Sequence, residues 1–126
     1  MIQQTIHNKD PITGSEIAIP RDVLEGIQLA KTYLETELIR FKSIPIDAEW
    51  IIRNDPNGKL EIQFSLTTQG GGIAEVPYPV EVVRSPTALK SSLRRDMWYF
   101  TTNLMTELER DIKKLKSELV LAGTED

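Results

Sequence analysis

Cysteine is absent from the 126-residue chain, which excludes disulfides, thiol nucleophiles and thiolate metal sites. Histidine occurs once, as His7, so no second histidine is present to share a metal. No Gly-x-Ser-x-Gly elbow accompanies it, which argues against a hydrolytic triad. No apolar run approaches the roughly 18 residues of a membrane span, and the stretch containing Gln3, Gln4, His7 and Asp10 lacks the apolar centre of a signal peptide. Positive charge is not in excess either. Fifteen Lys and Arg against nineteen Asp and Glu give a net charge of -4, which argues against coating nucleic acid by bulk charge. A local basic patch stays open. A soluble, unprocessed cytoplasmic protein with no membrane partner is the expectation.

What is present is an ordinary globular composition, 40% hydrophobic and 27% charged, enough for one core and a single domain over 1–126. Its last third reads as one long amphipathic helix from Pro86 to Ala122. Leu89, Leu93, Met97, Phe100, Leu104, Leu108, Ile112, Leu115, Leu119 and Ala122 recur about every 3.7 residues, the mark of a helix with one buried face. Ser85 suits the N-cap, Pro86 the first helical position, and Gly123 the stop. The alternative is a break near Ser91–Asp96, with Asp96 capping a second helix.

Upstream, Ile2–His7 has strand character, Asn8–Gly14 is turn chemistry, and residues 1–20 read as an edge hairpin or an arm. A first helix is predicted over Arg21–Lys42 from Val23, Ile27, Ala30, Leu34, Leu38 and Phe41. Arg40 and Lys42 fall in its last turn, and Gly26 is either a small cost or a close contact. Asp47–Arg53, with Trp50, Ile51 and Ile52, reads as a strand buried on both faces. Asn54–Gly58 is a hairpin turn, and Lys59–Thr67 alternates with Leu60, Ile62, Phe64 and Leu66 inward. Thr68–Gly72 reads as a loose connection. Ile73–Val83 follows as a third, interrupted strand, confined to an edge or bulge by Pro77 and Pro79. The fold expected is α+β: an antiparallel sheet of three or more strands, two helices on one face, and a long C-terminal helix whose residues 106–122 extend beyond the body.

Most chemical motifs fail at a nameable residue. Gly70-Gly71-Gly72 is followed by Ile73-Ala74-Glu75, not by the Lys-Ser/Thr and helix start that a phosphate loop needs. Aligning Gly58 to the sixth position of a calcium loop puts Arg53 and Phe64 where carboxylates are required. Asp47 and Glu49 share a strand face but have no further ligand. No metal, cofactor or small-molecule substrate is expected, and no catalytic residue.

Two surfaces survive. Arg84, Lys90, Arg94 and Arg95 gather at the start of the long helix with Trp98 four residues beyond Arg94, a combination suited to phosphate contact with stacking. The bland alternative puts Trp98 in the core and leaves the cations as a solvated rim. Lys113, Lys114 and Lys116 form a second basic run that alternates with Glu109, Asp111 and Glu118. Leu108, Ile112, Leu115 and Leu119, flanked by charges, have the profile of a seam against another helix. Between Met97 and Met105 the added Trp98, Tyr99 and Met105 predict a broad apolar surface covering the sheet.

Asp96-Met97-Trp98 and the run Glu107-Leu108-Glu109-Arg110-Asp111-Ile112-Lys113-Lys114, with Ala48-Glu49-Trp50 on the second strand, resemble motifs of the ribosome hibernation-promoting factors. That resemblance implies a β–α–β–β–β–α fold with both helices on one face, and ribosomal RNA contact through Lys90, Arg94, Arg95 and the final lysines. The chain departs from the pattern at Ser85–Arg95, which reads as additional helix. The expected function is a non-enzymatic regulatory protein that contacts RNA or the ribosome through its basic helix surface. The alternative is a homodimeric or partner-binding assembly module using the long helix.

Overall fold

A computed structural model describes residues 2–41, 44–68 and 71–123, with the side chains of 40, 71–74 and 121–123 excepted. Lys42, Gln69, Gly70 and the side chain of Ala122, which entered the readings above, lie outside that set. The chain forms β1 (Ile2–His7), α1 (Arg21–Glu37), a 3-10 turn (Ile39–Phe41), β2 (Ile46–Asn54), β3 (Leu60–Thr68), β4 (Gly71–Tyr78), α2 (Val80–Arg84) and α3 (Pro86–Gly123).

The sheet order is β1-β2-β3-β4. β2, β3 and β4 are antiparallel neighbours, as short connections require, with Trp50 opposite Phe64 and Phe64 opposite Val76. The expectation of an antiparallel sheet fails at β1, which runs parallel to β2 with Ile2 opposite Ile46. The physical reason is α1. A helix between two neighbouring strands carries the chain back along the sheet, so the second strand starts at the same end as the first. Gln4 fastens this crossover. Its side-chain N–H donates to the Ile27 carbonyl at 3.0 Å, while its carbonyl oxygen accepts the Trp50 indole N–H at 3.1 Å. The N-terminal segment is therefore an edge strand, followed by a tight loop closed by the Ile17 N–H on the Asn8 carbonyl at 2.7 Å.

Alternation along β3 holds: Ile62, Phe64 and Leu66 are buried, and Leu60 is packed against them. β2 was expected to be buried on both faces, yet it also alternates. Ile46, Ala48, Trp50 and Ile52 point inward, and Ile51 is half-exposed on the open face. Asp55 closes the hairpin by accepting the Asn57 and Lys59 amides at 2.9 and 2.8 Å. Gly58 supplies the left-handed residue at φ 81°.

Ile73–Val83 is not one strand. β4 ends at Tyr78, and Pro79 becomes the N-cap of α2, its carbonyl accepting the Val82 and Val83 amides at 3.0 and 3.2 Å. Proline cannot extend the ladder but suits the start of a helix. α1 likewise stops five residues early, at Glu37, so its last turn carries no basic residue. Gly26 is a close contact: a β-carbon there would lie 2.1 Å from the Val83 carbonyl oxygen, so α1 crosses α2 at backbone distance. α3 is continuous, with no break at Ser91–Asp96. Ser85 caps it by accepting the Ala88 amide on its hydroxyl at 3.3 Å and the Leu89 amide on its carbonyl at 2.8 Å.

One core joins these elements. The inward residues of β2 and β3 and Tyr78 of β4 meet Val23, Ile27, Ala30, Leu34 and Leu38 from α1, Val83 from α2, and Leu89, Leu93, Met97, Phe100 and Leu104 from α3. The helices thus pack on one sheet face. The other face is polar and mostly acidic, displaying Asp47, Glu49, Glu61 and Glu75 with Arg53. Arg53 donates to Gln63 at 2.9 Å, and Gln63 to Glu75 at 2.9 Å.

Candidate functional site on the long helix

α3 does two jobs in succession. Its first half contributes Leu89, Leu93, Met97, Phe100 and Leu104 to the core, while every described side chain from Met105 to Val120 is exposed. At 1.5 Å per residue, the 19 residues from Met105 to Gly123 extend about 28 Å.

Asp96 sits on the buried face of the first half. Tyr78 donates its phenolic hydrogen to Asp96 Oδ2, and Arg95 Nε lies 3.5 Å from Oδ1. Burial, then the hydrogen bond to Asp96 and the carboxylate's charge, hold the Tyr78 phenol well above its ordinary value. Both groups are enclosed and satisfied, and they pin α3 to β4 and are closed to a substrate. Asp96 had an unused sequence signal: it falls seven residues after Leu89 and four before Phe100, on the apolar stripe.

The basic cluster at the start of α3 faces α1 instead of solvent alone. Arg84 Nε contacts Asp22 at 2.9 Å, Arg94 contacts Glu37 at 3.6 Å, and the Lys90 ammonium stands 5.4 Å from the centre of the Tyr33 ring. With Arg95 on Asp96, each of these four cations already has an internal partner. Exposed ion pairs of this kind contribute little to stability, but a carboxylate beside Arg84, Arg94 and Arg95 offsets their charge, whereas Lys90 against the neutral Tyr33 ring keeps its own. Trp98 is neither core nor part of that cluster. It is 61% exposed and meets the Tyr99 ring edge-on at 5.1 Å. The expected sheet-covering role of Trp98, Tyr99 and Met105 is therefore overturned: a helix presents only about a third of its circumference to the sheet, and Met97, Phe100 and Leu104 fill that arc. Lys113, Lys114 and Lys116 are exposed, with no ion pair among the described residues.

Most of the apolar side chains of α3 left outside the core form a second stripe, interrupted by Thr101, with Tyr99 and Val120 off it. Trp98, Thr101, Met105, Leu108, Ile112, Leu115 and Leu119 are separated by alternating steps of three and four, the heptad spacing of a helix–helix seam. Met105, Leu108, Ile112, Leu115 and Leu119 are 49%, 41%, 52%, 56% and 63% exposed. The same flank is already occupied higher up. Lys90 and Leu108 are 18 residues apart, five turns at about 3.6 residues each, and so are Arg94 and Ile112. Since Lys90 and Arg94 rest on Tyr33 and Glu37 of α1, α1 covers the flank until its own end, and the open stripe begins there.

No family model, curated protein or solved structure matches this chain.

Elsewhere, a depression of about 500 Å³ at the end of the sheet is lined by Ile51, Arg53, Glu61, Pro77 and Pro79 among others. Across its floor Arg53 donates to Gln63 at 2.9 Å. Among the described residues, no group of His, Asp and Glu is placed to hold a metal ion, and no helix is long and apolar enough to cross a membrane.

Proposed function

We propose that the protein is a non-catalytic interaction module in which the α+β body holds one end of α3 and the other end offers its heptad stripe to a partner helix. The observation that carries this reading is the exposure of Leu108, Ile112, Leu115 and Leu119 on one flank, continuous with the flank that α1 covers. A run of aliphatic side chains at seam spacing gains from burial at about 25 cal/mol per Å², and among the described residues nothing in the body buries it. Trp98 gives a direct test, because Trp50, the other tryptophan, is fully buried. A designed leucine-heptad peptide should shift Trp98 emission to shorter wavelength on docking. Leu115→Glu with Leu119→Glu should remove that response while the far-ultraviolet circular dichroism of the folded body is retained. Unaltered binding in the double variant would overturn the reading.

A second reading, contact with RNA or the ribosome, is favoured by two observations. The order is β–α–β–β–β–α–α with the helices on one face, one helix more than the resemblance to hibernation-promoting factors implies, and Lys113, Lys114 and Lys116 are unpaired among the described residues. It has lost support at Arg84, Lys90, Arg94 and Arg95, whose partners a phosphate must displace. Low-salt co-sedimentation with ribosomes is the test. On this reading, Glu at Lys113, Lys114 and Lys116 abolishes co-sedimentation, and wild-type binding falls steeply with salt.

A further inference from the structure

We infer that the partner covering the stripe is a second copy of this chain, docked antiparallel about a two-fold axis between Lys113 and Lys114. This deepens the helix-docking reading and rests on it. The first support is self-complementarity. Reflected about the midpoint of residues 113 and 114, the last four members of the stripe map onto one another: Leu108 meets the partner's Leu119, and Ile112 meets the partner's Leu115. A two-fold interface needs such a patch, because each side must be both knob and hole for its own copy.

The second support is α1. In a parallel, in-register pair the partner's α3 would run beside this α3 from Pro86 onward, through space that α1 fills as far as the Arg94–Glu37 contact. Antiparallel docking avoids this. The partner's helix then approaches from the free end and stops short of α1, continuing its track along the same flank.

Charge fixes the register. In the pairing above, Glu109 lies beside the partner's Lys116 twice over, while Asp111 faces the partner's Glu118. Sliding by one heptad layer, to bring Leu108 against the partner's Ile112, places Glu109 against the partner's Glu109 and Asp111 against the partner's Asp111. The first register has attraction on one flank and like charges on the other, whereas the second has like charges on both. Five aliphatic side chains, each about half exposed, offer on the order of 500 Å² per copy, so a symmetric pair with its flanks reaches the ~1,200 Å² of a small specific interface.

Sedimentation equilibrium of the full chain, from about 1 to 100 µM, should show a reversible dimer. Leu115→Glu with Leu119→Glu should make it monomeric. The deciding variant is Asp111→Lys. Facing the partner's Glu118, it should tighten an antiparallel dimer about tenfold. In a parallel dimer, where Asp111 lies beside the partner's Lys116, it should weaken association instead. Weakening would overturn the antiparallel arrangement while leaving the stripe as the interface. A chain that stays monomeric but still binds the leucine-heptad peptide would overturn the second copy alone. A monomer that binds no peptide, or a dimer indifferent to the Leu115 and Leu119 changes, would overturn helix docking as well.

Discussion

At Gly26 a β-carbon would lie 2.1 Å from the Val83 carbonyl oxygen, and neither backbone can give way without moving a helix. Gly26→Ala should therefore destabilise the protein by about 1–3 kcal/mol, although alanine is the better helix former. A denaturant midpoint unchanged or raised would show that α1 and α2 are not in backbone contact. Tyr78 and Asp96 are a second single-residue dependency. Tyr78→Phe leaves a buried carboxylate without its hydroxyl donor and should cost about 1–3 kcal/mol. The pH signature has a definite sign. Because the folded phenol is held above its ordinary value of 10.0, the unfolded chain loses this proton first. Stability from this group is complete below about pH 10 and is lost as pH rises beyond it. Thermal melts above that pH should fall less steeply for Tyr78→Phe than for wild type.

Among the elements, β3 offers the cleanest contrast. Phe64 is fully buried, 4.5 Å from the Trp50 ring centre and 5.5 Å from that of Tyr78. Phe64→Ala should cost about 3–5 kcal/mol, and Lys59→Ala under about 0.5 kcal/mol. Equal sensitivity in urea titrations would turn the strand over. This element was legible in advance because its pattern is local: period-two alternation needs no knowledge of neighbours. The hairpin turn and the cap at Ser85 were legible for the same reason. The parallel pairing of β1 was not, because its partner lies 44 residues away, from Ile2 to Ile46. Pro79 was read only as a strand breaker, since the following Val80–Val83 has strand-like composition. The basic residues Arg84, Lys90 and Arg94 could be read from the sequence, but their neighbours Asp22, Tyr33 and Glu37 are brought near only by tertiary packing. The exposed run Leu108, Ile112, Leu115 and Leu119 was visible as a narrowing stripe. Its extension up to Trp98, and α1's occupation of the same flank, required the structure.

For the molecule as a whole, the boundary at Leu104 divides the part of α3 packed in the core from the part exposed beyond it. Since no described residue from Met105 to Val120 is buried, a chain ending at Thr106 should melt within a few degrees of the full chain, as expected when only exposed surface is removed. A large loss would mean that the second half of α3 supports the body. The same boundary has a mechanical consequence. A continuous helix with one end gripped and the other free is a cantilever. Tilting it by about 10° at Leu104 carries its tip through about 5 Å over its 28 Å of free length. A load applied near Leu119 is thus delivered, with leverage, to the residues at the grip. Tyr78–Asp96 and Arg94–Glu37 lie inside the grip, about 12 and 15 Å along the helix from Leu104, one on the dry side and one on the wet, so they are the polar contacts that resist a pull on the far end.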